Sequence, residues 1–140
     1  MELKVHKIWI ADDDEAIRMV LEEGLKSPDF EIETFANGEL LIDALNTGKP
    51  DLIISDIKMP GMHGYDLLKH IKNNYDKLPV IIMTAFTDMQ AAIDAYGGGA
   101  FEYIPKPFDL EEAIITVKNA LEEHKELSLI HISEPTRLHT

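Results

Sequence analysis

Five side chains in the 140-residue sequence have the types that phosphoryl chemistry needs. Asp12 and Asp13 follow the apolar run Ile8-Trp9-Ile10-Ala11, and Asp56 follows Leu52-Ile53-Ile54-Ser55. Thr84 follows Val80-Ile81-Ile82-Met83, and Lys106 comes just after Phe101-Glu102-Tyr103-Ile104. If those runs are neighbouring strands, about 4.8 Å apart, the carboxylates crowd one crevice and repel each other. A hard divalent cation such as Mg²⁺, held by oxygen ligands alone, relieves that repulsion. A carboxylate nucleophile, a metal, a hydroxyl and an ammonium then form a set that fits a phosphoryl group. Asp56 would be the nucleophile, Thr84 a hydrogen-bond donor, and Lys106 a cation against the oxygens. Singly, each residue has a plainer reading. An Asp-Asp-Asp string can cap a helix, Asp14 is read as a cap or a solvated residue, and Asp56 can be a turn residue. The signal lies in several strand ends carrying the set together.

The elements that must position these residues are legible in the hydrophobic pattern. The apolar runs are too short for helices and rich in β-branched residues, so they read as buried strands. Continuous hydrophobicity suits central strands of a parallel sheet covered on both faces. Phe30-Glu31-Ile32-Glu33-Thr34-Phe35 alternates instead and suits a half-exposed edge; Phe101 to Ile104 is a weaker fifth strand. Between the runs lie five amphipathic segments. Their stripes are Ile17, Val20, Leu21 and Leu25; Leu40, Leu41, Ala44 and Leu45; and Leu67, Leu68 and Ile71. Ala92, Ile93 and Tyr96 mark the fourth; Leu110, Ala113, Ile114, Val117 and Leu121 mark the fifth, with Asp109 as its N-cap. Five βα units predict an α/β fold: a doubly wound, five-stranded parallel sheet of order 2-1-3-4-5. Its reversal point lies between strands one and three, and ligands bind there, outside the carboxyl ends of the strands.

Composition narrows the function classes. The length predicts one domain. Acids outnumber bases 26 to 13, for a formal charge of −13. That argues against non-specific nucleic-acid binding by this domain, although it leaves open a DNA-binding domain elsewhere in a longer protein. The absence of cysteine rules out disulfides, thiolate catalysis and Cys-based zinc sites, and fits a cytoplasmic location. No apolar run approaches the ~20 residues that span a bilayer, and the amino-terminal run is too short for a signal peptide. No glycine-rich nucleotide loop is present.

Four stretches, IWIADDDEAIR, DLIISDIKMPGMHGYDLL, LPVIIMTAF and AFEYIPKPFDLEEA, resemble a response-regulator receiver domain with the flavodoxin/CheY-like (βα)5 fold. This is the phosphoacceptor half of two-component signalling. The resemblance runs from about Lys7 to Glu123, and it is to the nitrogen-regulator (NtrC) class, whose full proteins activate sigma-54 transcription. It implies that Asp56 takes a phosphoryl group from the phosphohistidine of a sensor histidine kinase. It implies further that Mg²⁺ is held by Asp13, by Asp12 (in part through water), by Asp56 and by the backbone carbonyl of Lys58. Thr84 would move toward the phosphoryl oxygen, and Tyr103 would swing from exposed to buried. Lys106 would pair with the phosphoryl group, and the Lys106-Pro107 bond would be cis. The output face would be the fourth helix, strand five and the fifth helix. A homodimer is allowed, and no membrane contact is expected.

Some positions depart from the family pattern. His63 stands where an acid is usual and is read as an exposed loop residue. Lys58 and Phe86 follow Asp56 and Thr84 by two residues, where the family tunes phosphoryl lifetime; this basic and bulky pair leaves that lifetime open. Gly97-Gly98-Gly99 is read as the end of the fourth helix, in a region of high backbone freedom. Trp9, Met83 and Met89 read as packing, and His70 and His124 as solvated.

After Glu126 the sequence Leu127-Ser128-Leu129-Ile130-His131-Ile132-Ser133-Glu134-Pro135-Thr136-Arg137 matches the conceptual translation of a transposase-based sequencing adapter. Residues 1–126 are therefore read as the receiver and residues 127–140 as a non-native tail. The reading that follows is the amino-terminal part of a truncated sigma-54-type activator, a phosphoacceptor and not an enzyme. The alternatives are a stand-alone single-domain regulator, a pseudo-receiver that only docks proteins, and a haloacid-dehalogenase-like phosphatase using Asp12 with Asp14. The last leaves Asp56 idle and the chain short of room for the usual cap.

Overall fold

Each β-branched run forms a strand and each amphipathic segment among the described residues a helix. The computed structural model describes residues 5–85, 97 and 99–129. The order is β1 (His6–Ala11), α1 (Glu15–Leu25), β2 (Phe30–Phe35), α2 (Gly38–Leu45) and β3 (Leu52–Asp56). Then come α3 (Gly64–Asn74), β4 (Val80–Ala85), β5 (Glu102–Lys106) and α4 (Leu110–Leu129). The fifth expected helix is α4. The fourth, with Phe86, Met89, Ala92, Ile93 and Tyr96, lies outside the described residues.

The five strands pair in parallel in the order β2-β1-β3-β4-β5. This is the expected doubly wound sheet, with the reversal between β1 and β3. β2 is an edge with every second residue exposed, as its alternation predicts. β3 is buried along its whole length. β5 is the other edge and tolerates Pro105, which cannot donate to a ladder. It runs two residues further than expected, so Lys106 ends the strand instead of following it.

Period-two side chains divide the core in two. Ile8, Ile10, Leu52, Ile54, Ile81, Met83 and Ile104 face α1 and α4, meeting Leu21, Leu25, Val117 and Leu121. Trp9, Ala11, Ile53, Val80 and Ile82 face α2 and α3, meeting Leu41, Leu45, Leu67, Leu68 and Ile71. Trp9 and Met83 are therefore packing residues, as read. Covering both faces removes water from the sheet and leaves its rims for polar chemistry.

Local chemistry sets the helix starts. Asp14 caps α1 by accepting from the Ala16 N–H, and Asn37 caps α2 by accepting from the Leu40 N–H. Asp109 accepts from the Glu111 N–H, the expected cap of α4. His63 stands at the start of α3 without a side-chain cap bond and is exposed, and His70 is half-buried rather than solvated. α4 continues to Leu129, past the expected boundary at Glu126. No proline or glycine interrupts 110–129, and the helix breaker comes only at Pro135.

Candidate phosphoacceptor site

Strand register brings the acids together. Ala11 pairs with Ser55, so Asp12 and Asp56, one residue further along each strand, emerge side by side. Asp56 pairs in turn with Met83, which sets Thr84 one step beyond it at the same rim. Ala85 pairs with Lys106 on the outer strand. Residues far apart in sequence thus meet at the carboxyl ends of β1, β3, β4 and β5.

The oxygens of Asp12, Asp13 and Asp56 lie within 4.8 Å of one another. Asp12 is fully buried, Asp56 is 7% exposed and Asp13 is exposed. Lys106 reaches into this group from β5. Its Nζ donates to Asp12 Oδ2 at 3.0 Å and lies 3.3 Å from Asp56 Oδ1. One ammonium against three carboxylates leaves an excess of negative charge. The donor set, all oxygen with one open member, fits a hard divalent cation such as Mg²⁺. Burial, followed by the charge of Asp12, raises the Asp56 carboxyl above its usual range, and Lys106 opposes that shift. Burial tends to lower the Lys106 ammonium. Its hydrogen bond to Asp12 and the charges of both acids outweigh this and hold it above the usual lysine range.

The other expected residues stand as follows. Thr84 is buried, and its hydroxyl makes a long bond of 3.4 Å to the Ala85 carbonyl. Lys58 is exposed in the loop after β3. Tyr103 is half-buried against the α2–α3 side of the core and not exposed. Its neighbour across the ladder, Ile82, belongs to that side, which is why the ring packs there. The Lys106-Pro107 bond is cis. Asp14 has its carboxylate on the α1 amino terminus, so the Asp12–Asp14 pair that a haloacid-dehalogenase-like site requires is not assembled.

Two positions escaped the sequence reading. Arg18 Nη1 donates to the Asp12 carbonyl at 2.7 Å, and nothing in a helical spacing signals a bond back to the preceding loop. Gly64 packs on the main chain of Asp56: a Cβ there would lie 2.2 Å from the Asp56 carbonyl oxygen. The glycine closing Met59-Pro60-Gly61-Met62-His63-Gly64 is the signal that could have found it.

A parallel α/β sheet with an acidic triad and a lysine at its switch point defines a phosphoacceptor domain of the CheY-like kind. The profile of the response regulator receiver domain matches residues 8–118, and the chain belongs to that family. Membership makes it a receiver, a signalling domain rather than a catalytic one. The chain is 51% identical over 118 residues to the DNA-binding transcriptional regulator NtrC of Klebsiella pneumoniae, across 84% of this chain and 25% of that one. To NtrC of Escherichia coli K12 it is 49% identical over 119 residues, across 85% and 25%. It thus spans about a quarter of the length of these relatives. The crystal structure of a response regulator receiver domain protein from Clostridium thermocellum superposes with TM-score 0.79 and 34% identity, over 88% of this chain and 99% of that one. No helix among the described residues is long and apolar enough to cross a membrane.

Proposed function

We propose that Asp56 is the phosphoacceptor of this domain and that residues 1–126 work as a two-component receiver. The observation that carries the reading is the double contact of Lys106 with Asp12 and Asp56 inside the acidic triad. An oxygen of Asp56 attacks the donor phosphorus; the new O–P bond forms as the N–P bond of a phosphohistidine breaks, and the imidazole leaves. Mg²⁺, when bound, supplies charge against the phosphoryl oxygens, and Asp12, Asp13, Asp56 and the Lys58 carbonyl would hold it. Lys106 stands within reach of a phosphoryl group on Asp56 and would pair with it. Thr84 would donate to a third oxygen, and with Tyr103 would pass the added charge to β5 and the helices beside it.

One reading is a regulator that acts through its own surface, the stand-alone module. Identity to NtrC supports a second proposal, a receiver that governs a downstream sigma-54 activator. Residues 127–140 are proposed to be foreign to either. Acetyl phosphate with Mg²⁺ should modify the wild-type chain and not Asp56→Asn, as read by intact mass. A phosphoryl group on the variant, or one mapping to Asp12, would overturn the assignment.

A further inference from the structure

We infer that Arg18 is a positioning residue for the acidic loop between β1 and α1: it holds the main chain so that Asp12 and Asp13 face one cation. The inference rests on the reading of the triad as a divalent-cation site.

Each polar group of Asp12 has a partner. Its N–H donates to the Phe35 carbonyl at 3.1 Å. Its Oδ1 accepts from the Asp14 N–H at 2.9 Å, and its Oδ2 from Lys106. Its carbonyl accepts from Arg18 at 2.7 Å, the shortest of these bonds. Phe35 fixes the loop to the sheet, the Asp14 N–H fixes the side-chain rotamer, and Arg18 fixes the peptide that leads directly into Asp13. Asp13 is exposed, so packing cannot place its carboxylate; the peptide bonds on either side must. Arg18 sits on α1, which the Asp14 cap ties to the same loop. The guanidinium therefore braces the loop against a helix that is itself anchored through Leu21 and Leu25 in the core.

Charge and geometry predict opposite signs for its removal. A cation taken away from three carboxylates should tighten Mg²⁺ binding. A loop released from its brace must be ordered again when the ion binds, which weakens it. A hydrogen bond from a charged donor outweighs a screened charge that contacts no carboxylate, so the geometric effect wins.

The test is Mg²⁺ titration by calorimetry on the unphosphorylated chain, with wild type, Arg18→Met and Arg18→Lys. Arg18→Met should bind about tenfold more weakly, and Arg18→Lys, which keeps a donor for the carbonyl, should stay within about threefold of wild type. Hydrogen exchange should quicken at the Asp14 amide of Arg18→Met and stay slow at Ile54 in the core. Equal or tighter binding by Arg18→Met overturns the inference. So does a lysine variant as weak as the methionine one, or equal loss of protection at Asp14 and Ile54. If Arg18→Met does not fold, the lysine variant decides by the same limits. Wild type that binds no Mg²⁺ would remove the cation-site reading first and leave hydrogen exchange to judge the brace.

Discussion

Replacing Gly64 by alanine tests how tightly α3 is seated on the main chain of Asp56. A Cβ at position 64 would lie 2.2 Å from the Asp56 carbonyl oxygen, 2.7 Å from Ile57 Cα and 3.0 Å from the Asp56 carbonyl carbon. A carbon–oxygen contact relaxes only near ~3.3 Å, so the two stretches of main chain must part by about 1 Å. Neither partner is a side chain that can rotate away. The Gly64 N–H also donates to the Ile57 carbonyl at 2.9 Å, and that bond would stretch as α3 retreats. Leu67, Leu68 and Ile71, all fully buried, would move with the helix and loosen one face of the core. Overpacking commonly costs ~1–3 kcal/mol, and a clash confined to backbone belongs at the upper end, about 3 kcal/mol. At roughly 3–4 °C per kcal/mol for a domain of this size, Tm should fall by about 10 °C. Well below that Tm, a shift of Asp56 by about an ångström should slow phosphorylation by acetyl phosphate about 100-fold. Urea unfolding and intact-mass kinetics read the two effects. A variant within about 0.5 kcal/mol of wild type that still phosphorylates within twofold would refute the reasoning.

Three further outcomes follow from the site. Because the Asp56 carboxyl is held above its usual range, ionising it costs more in the folded chain than in the unfolded one. Metal-free wild type should therefore lose stability relative to Asp56→Asn as pH rises from the ordinary carboxylate range through the folded value. The variant should end about 1 kcal/mol ahead at pH 7 by urea titration, and a variant less stable than wild type there would contradict this. Lys106→Met leaves the fully buried Asp12 without its ammonium and should cost about 2 kcal/mol near neutrality, discounted because Lys106 is 21% exposed. Lys106 is raised in the folded state, so the wild-type advantage should be complete below the ordinary lysine range and disappear as pH climbs through the folded value. Adjacent acids should separate cleanly: Asp14→Ala should lose about 1 kcal/mol as a lost N-cap and bind Mg²⁺ as wild type does, whereas Asp13→Ala should keep its stability and lose metal dependence.

The sequence by itself determined the strands, the helices among the described residues, the order of the sheet and the rim where chemistry belongs. These features rest on local periodicity and on chain ends of strands, which a linear string records directly. Asp14 as a cap, Asp109 as a cap and Trp9 as core were equally local matters. The tertiary structure alone decided how the set is wired. Lys106 bonds Asp12 more closely than Asp56, 94 and 50 residues away, because the β1–β3 and β4–β5 registers fix which side chains share the rim. Tyr103 packs half-buried against the core because its partner in the ladder is Ile82, which faces that way. Arg18 reaches back to a loop carbonyl that no helical spacing signals, and the glycine at position 64 hints at a close approach without saying that its partner is the backbone of Asp56. Periodicity tells which face a residue takes; only packed backbones tell which atoms come within bonding distance.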